Sequence, residues 1–318
     1  MMKRALLPLP FLAALLLGGC SINKMAMRAV SDALTGQGSG DVFTGDSDPE
    51  LVGDALPFAI KMYESLLSAS PDHQGLILTT GSLFVMYANA FVQNPAECLP
   101  QEQYEERYAQ MDRAKQFYLR GVAILHSGLE RKYPGFKAAT VKDGTLEPIL
   151  KKCKKEDVGI LYWTVAGELA AYSINVFDFD LGARIPELSA MIKRAYELDP
   201  DYDTAALDEF YILFYASLPE VLGGDKELAK LHYQRALEKT GGASTGAYVS
   251  YAQSICIPAQ DYDVFKDNLE KALAVDVNAD KSKRLVNILN QRKARFLLDT
   301  AYDYFSFLPV PGMDGEDY

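Results

Sequence analysis

From Asp48 onward the apolar positions recur at helical spacing, and no stretch sustains the period-two alternation of a half-buried strand. One stripe returns along the chain: a small or apolar residue, a second four positions on, a third three further, and a helix stop five later. It reads Ala59, Tyr63, Leu66, Pro71; then Ala114, Tyr118, Gly121, His126; then Leu188, Ile192, Ala195, Pro200; then Ala229, Tyr233, Ala236, Gly241. Phe265, Leu269, Ala272 and Val277 give a weaker copy. Residues at these offsets share one helix face, and the small ones admit a neighbouring helix at close range. The first helix has a clear start: Asp48 can cap it, Pro49 suits its first position, and Glu50 sits in its first turn. Leu285, Ile288, Leu289, Phe296 and Leu297 outline a last amphipathic helix, whose polar outer face would close the end of an array.

A second set of helices alternates with these. Trp163, Ala166, Gly167 and Ala170 match the first-helix spacing of a tetratricopeptide repeat, and Ile77, Gly81 and Phe84, or Tyr248, Ala252 and Ile255, match it more loosely. The pairs therefore resemble tetratricopeptide repeats. The expected fold is all-α: a tetratricopeptide-like helical repeat array, or α-solenoid, over residues 48–307, with insertions and a C-terminal capping helix. The largest insertion lies near residues 131–157, where the run Lys151-Lys152-Cys153-Lys154-Lys155 reads as a solvated loop. Residues 308–318, with two prolines, two glycines and three acids, read as a disordered tail.

The N-terminus carries a different pattern. Lys3 and Arg4 precede an apolar run from Ala5 to Leu17, which ends in Leu17-Gly18-Gly19-Cys20. That order is a signal peptide closed by a bacterial lipobox. The run contains Pro8 and Pro10 and falls short of the ~20 apolar residues a membrane-spanning helix needs. Residues 1–19 are thus expected to be a lipoprotein signal peptide, Cys20 the lipidated residue, and 20–47 a lipidated N-terminus and linker. Several acyl chains on one Cys give stable anchoring where a single chain does not. Ser21 after the Cys slightly favours the outer membrane in a double-membrane bacterium, with the body facing the periplasm.

Charge narrows the partners. The 318-residue chain holds 32 Lys+Arg against 43 Asp+Glu, a net −11, and the segment ahead of Cys20 removes only basic charge. Such a chain repels phosphate backbones, so nucleic acid is not an expected partner. Export permits disulfides. Cys98 and Cys153 lie in polar, turn-rich surroundings and are a candidate pair, while Cys256, in the apolar run 251–257, reads as a buried free thiol.

Few residues ask for chemistry. Gly242-Ala243-Ser244-Thr245-Gly246 matches the hydrolase nucleophile elbow, but that elbow needs a strand before it. A glycine stop between two helices explains the segment. The three histidines, His73, His126 and His232, have no zinc-site spacing, so no metal and no cofactor is expected. Asp208 and Glu209 are adjacent and so point apart on a helix. The chain is not read as an enzyme.

The aromatic load is more suggestive: there are 19 tyrosines, several on the alternating helices. Phe84, Tyr87, Tyr162, Trp163, Phe210, Tyr211 and Phe214 are candidates for lining a ligand groove or pore, with core packing between helices as the other use of such residues. Asn89, within the apolar run 84–91, is read as a buried amide that bonds a turn carbonyl or faces a ligand.

Particular stretches carry a closer resemblance: Asp48-Pro49-Glu50-Leu51-Val52 with Ala55-Leu56-Pro57-Phe58, the run 81–93 from Gly81 to Gln93, Leu161-Tyr162-Trp163, Leu198-Asp199-Pro200-Asp201-Tyr202, and Gln291 to Leu298. In these the chain resembles the TatT-like T components of tripartite ATP-independent periplasmic (TRAP) transporters. The resemblance implies a helical lipoprotein that forms a homotrimer, with a pore or cavity through each subunit. It implies engagement of the transporter's periplasmic solute-binding protein, and a small hydrophobic ligand such as a carboxylate with an apolar tail. The alternative is an envelope scaffold lipoprotein that grips peptides or proteins in its concave groove.

Overall fold

A computed structural model describes residues 28–309 apart from 37, 39 and 142–144. The signal peptide, Cys20 and residues 310–318 of the tail lie outside the described residues. Ten main helices follow in order: α1 Pro49–Ala69, α2 Gln74–Tyr87, α3 Tyr104–Lys132, α4 Val158–Ile174, α5 Ile185–Leu198, α6 Ala206–Ser217, α7 Lys226–Thr240, α8 Thr245–Tyr251, α9 Tyr262–Ala274 and α10 Arg284–Asp299. Short turns of helix join them, and the described residues contain no strand, so the fold is all-α.

Local chemistry explains the boundaries. Asp48 caps α1 by accepting from the Leu51 amide at 3.0 Å, with Pro49 at the first position. Asp225, Ser244 and Asp261 cap α7, α8 and α9 in the same way. Helix α7 stops on Gly241 at φ +59°, a left-handed conformation that glycine adopts without strain. Helix α5 ends two residues before Pro200, whose ring disfavours helical backbone in the residue ahead of it.

Two helices widen instead of stopping. Helix α2 continues as a π segment, Ala88–Gln93, and α8 as another, Ala252–Cys256. Each is followed within two residues by a proline, Pro95 and Pro258. A proline ring collides with the carbonyl four residues earlier in an α-helix, and a wider turn moves that carbonyl away.

Packing runs mainly between sequence neighbours: α1 on α2, α2 on α3, α3 on α4, α4 on α5, α6 on α7, α8 on α9, and α9 on α10. Contacts between α2 and α4, α6 and α8, and α8 and α10 tie the alternate helices together. Helices α2 and α3 approach closely: a Cβ on Gly121 would stand 2.7 Å from the Gly81 carbonyl oxygen. Leu188, Met191, Ile192 and Ala195 of α5 share a core with Leu207, Tyr211 and Phe214 of α6. The apolar segment Gln74–Glu97 has the length and composition to cross a membrane, but it is packed among α1, α3 and α4 as a core helix is.

The first and last main helices meet. Leu285 of α10 is buried in one core with Val52, Leu56 and Ile60 of α1. Arg292 grips Glu50 with two nitrogens, at 2.5 and 3.1 Å, and Arg284 donates to the Gly45 carbonyl at 3.1 Å.

Three expectations need correction. Helix α3 does not stop at His126 but runs on to Lys132, because Leu125 and Leu129 continue its buried stripe and His126 is held between Glu168 and Arg184. Part of the expected linker is ordered: residues 28–35 are helical, Tyr63 donates to the Leu34 carbonyl, and His73 bonds Asp32. Cys98 and Cys153 do not pair; both are free thiols, Cys98 beside Lys293 and Arg107, and Cys153 buried between Tyr133 and Arg194. Cys256 is free and buried, as its apolar setting requires.

Candidate functional site

Five of the eight aromatic and polar candidates come together. Tyr162 and Trp163, consecutive on α4, meet edge to face with ring centres 5.2 Å apart. Tyr162 also meets Phe210 of α6 edge to face at 6.2 Å, and Tyr202 at 5.6 Å. Phe210 stacks on Phe214 at 5.8 Å, and Tyr211 stands perpendicular to Phe214 at 5.9 Å. Offset and edge-to-face pairs of this kind add to the burial of apolar area.

The members divide by exposure. Tyr211 and Phe214 are buried and belong to the core. Tyr162, Trp163, Tyr202 and Phe210 are half-buried. Tyr162 is half-buried, with its ring against Trp163, Tyr202 and Phe210. Burial pushes its hydroxyl well above the ordinary phenol range, and the Glu209 charge adds to the shift. Burial also pushes the Tyr202 hydroxyl up to about 12. Both therefore remain protonated at neutral pH and can donate hydrogen bonds.

Phe84 and Tyr87 form a separate cluster with Phe91 and Phe117, at centre distances of 5.7 to 6.1 Å. Phe84 is only 2% exposed, so its contribution is to packing. Asn89 is exposed, which corrects its reading as a buried amide. The π segment shifts the helical register: Ala88 and Val92 face inward, while Asn89 turns out and accepts weakly from Asn94 at 3.4 Å.

Sequence reasoning missed the polar side of the interior. Glu209 on α6 accepts the Ser244 hydroxyl at 2.5 Å, and Ser244 in turn caps α8. Thr245 donates to Asn287 at 2.7 Å and accepts from Asn290 at 3.1 Å, which links α8 to α10. Glu209 is half-buried; burial pushes its carboxyl above the usual range, while the Ser244 bond opposes that. Its neighbour Asp208 points the other way, fully buried against His232 at 2.7 Å and Lys239 at 2.8 Å. The only local signal was the acidic pair Asp208-Glu209 between Leu207 and Phe210, which an exposed helix face produces equally well.

The geometry supports no serine hydrolysis. Ser244 Oγ accepts from the Ala247 amide and donates to Glu209, whereas the three histidine rings bond Asp32, Glu168 with Arg184, and Asp208. Ser244 thus has no histidine beside it, and its hydroxyl is committed to the α8 cap and to Glu209. No group of three or more His, Cys, Asp or Glu side chains among the described residues is arranged to hold a metal ion. A depression of about 460 Å³ lies along α10, but Ile288, Gln291, Arg292, Arg295, Phe296 and Asp299 all come from that one helix and nothing converges on it. These helices bring half-buried aromatic rings close to a carboxyl, a hydroxyl and an amide.

Comparisons with known proteins cover most of the chain. An uncharacterized protein of Treponema pallidum (strain Nichols) is 34% identical over 309 residues, 93% of this chain and 96% of its own length. The TRAP transporter T-component family matches residues 45–305, from the segment that Arg284 grips to the last buried phenylalanine, Phe305. The chain belongs to the TRAP transporter T-component family, a family of transport components and not of enzymes.

Proposed function

We propose that this T component is anchored by a lipid on Cys20 to the outside of a bacterial membrane. There it engages the solute-binding protein of a TRAP transporter and holds a small, largely apolar ligand. The observation that carries the ligand part is the half-buried aromatic cluster of Tyr162, Trp163, Tyr202 and Phe210. Core packing alone would close such a wall; a binding site leaves it open. Family membership supports the partner. Tethering supports it too, since an anchored receptor raises the effective concentration of what it meets. The acidic chain, at net −11, stays clear of an anionic membrane surface and leaves attachment to the lipid.

The contact of α10 with α1 favours an enclosed site over a groove open along its length. An extended peptide needs the open groove, so the ligand reading is preferred to the envelope scaffold. A homotrimer is the expected assembly; three copies closing a ring need two complementary patches on each subunit. The Cys20-anchored body is proposed to face the periplasm, with the outer membrane slightly favoured.

Trp163 is the single tryptophan of the chain and lies in the wall itself, so its emission reports on occupancy. Titration with 1-hexanol should shift the emission saturably, and Phe210→Ala should weaken the binding by about three- to tenfold through lost aromatic contact. An emission that does not respond saturably to any apolar probe contradicts the ligand reading.

A further inference from the structure

We infer that the exposed rings of Tyr104, Tyr108, Phe177 and Phe179 are the docking surface for the solute-binding protein. They fit a partner face whose apolar pockets are ringed by lysine and arginine. The inference rests on the partner reading above and adds to it the surface and its chemistry.

The four rings are between 66% and 82% exposed. Tyr104, Tyr108 and Lys115 fall on one stripe of α3, at offsets of four and seven. Lys115 reaches Asp178 at 2.7 Å, which brings the turn after α4 alongside that stripe. Phe177 and Phe179 flank Asp178 in the chain. Single apolar residues are ordinary on a surface, but four large rings on two adjoining segments mark an interaction site. The turn is also held in place. The Phe177 amide donates to Asn175 Oδ1 at 3.1 Å, and the Leu181 amide to Asp178 Oδ1 at 3.2 Å. Rings presented by a fixed turn lose little freedom on binding.

The surrounding charge selects the partner. Lys115 serves Asp178, Arg107 serves the carbonyls of Ala96, Glu97 and Leu99, and Arg113 lies over the Phe117 ring. Glu102, Asp112 and Asp180 are exposed and pair with no cation among the described residues. Aromatic rings among unpaired acids meet a basic rim favourably and an anionic membrane unfavourably.

Position agrees. At the far end of α3, Arg131 pairs with Asp72, and His73 next to it bonds Asp32 of the segment 28–35. Helix α3 has 29 residues, about 43 Å at ~1.5 Å each. Eight residues separate Arg28 from Cys20, a reach of at most about 28 Å. The proposed anchor thus joins the end of the molecule opposite the aromatic rings, and the rings point to what lies beyond the membrane surface.

The test places the lipidated full chain in phosphatidylcholine vesicles and measures binding of the purified TRAP solute-binding protein of the same bacterium by co-sedimentation. The double variant Phe177→Ser with Phe179→Ser should weaken binding at least about tenfold, as loss of aromatic anchors does. Its thermal midpoint should match the parent's, since both rings are exposed. Val141→Ser, an equally exposed apolar residue beyond the other end of α3, should leave binding within about twofold. Asp180→Lys, and a rise from about 50 to about 500 mM salt, should each weaken it by about threefold or more. A parent that binds while the double variant binds equally well overturns the inference and leaves the partner reading standing. Indifference to both salt and Asp180→Lys overturns the basic rim. A double variant that changes the oligomeric state but not partner binding makes a second copy the occupant. Protection of residues 104–108 and 177–179 from hydrogen exchange by vesicles alone makes the membrane the occupant. Either result overturns the inference. If the parent does not bind the solute-binding protein at all, the partner reading fails and this inference falls with it.

Discussion

Glu97 and Lys293 stand 196 positions apart in the chain and meet at 2.7 Å. The contact ties the end of the helical segment that continues α2 to the middle of α10. Gln93 extends it by donating to the other Glu97 oxygen at 2.8 Å and accepting from Tyr118 at 2.6 Å. Lys293 is 8% exposed, so its stem is packed as well as its charge paired. The contact of α10 with the first two helical segments therefore rests on a polar network as well as on the apolar seam of Leu285.

Lys293→Ala should destabilise the fold by about 1–3 kcal/mol, less than a fully buried pair because Glu97 keeps Gln93 and some solvent. Urea unfolding at neutral pH checks this. A variant as stable as the parent would mean that the two ends need no such tie.

The approach of α2 to α3 makes a sharper demand. A methyl on Gly121 would stand 2.7 Å from the Gly81 carbonyl oxygen, which is backbone and cannot step aside cheaply. Gly121→Ala should cost about 1–3 kcal/mol by overpacking, although alanine is the better helix former. Thermal unfolding should show a lower midpoint, whereas the same change at Gly223, in an open turn, should cost through its positive φ alone.

Acid should act through Asp208. Burial opposes its ionisation, but the bonds from His232 and Lys239 outweigh that and hold its carboxyl below the usual range. A carboxyl lowered on folding contributes stability above its unfolded value near 4 and loses it as pH falls through the folded value. Asp208→Asn should therefore cost about 3 kcal/mol at pH 7, the loss expected on breaking a buried pair. The gap between variant and parent should shrink below about pH 4. A gap of constant size across that range would place the stabilisation elsewhere.

Thiol chemistry checks the unpaired cysteines. Burial pushes the Cys153 thiol up to about 11 and Cys256 up to about 12. Without reduction, the unfolded protein should be alkylated at Cys98, Cys153 and Cys256. The folded protein should resist at Cys153 and Cys256, since the thiolate is the reacting form. Failure of Cys98 and Cys153 to react after unfolding, with recovery on reduction, would restore the disulfide.

The stripe Ala114, Tyr118 and Gly121 was legible because a helix facing a neighbour must repeat near 3.6 residues, and all three are buried. The Asp48 cap was legible for the same kind of reason: the rule that places it acts within four residues. Asn89 was not, because the π segment changes the period on which the reading depended. Glu209 and Ser244 lie 35 positions apart, and nothing local says that their helices bring them to one point. Cysteine spacing carried no distance at all, so the pairing of Cys98 with Cys153 had no physical ground. Among the aromatic candidates, residue type marked the wall but could not separate half-buried Tyr162 from buried Phe214.

The most direct test of the account is to recover the lipidated protein from detergent-solubilised membranes and identify by mass spectrometry what accompanies it. The account predicts a TRAP solute-binding protein in the recovered complex. Recovery of envelope-assembly proteins alone, or of no partner, would contradict it.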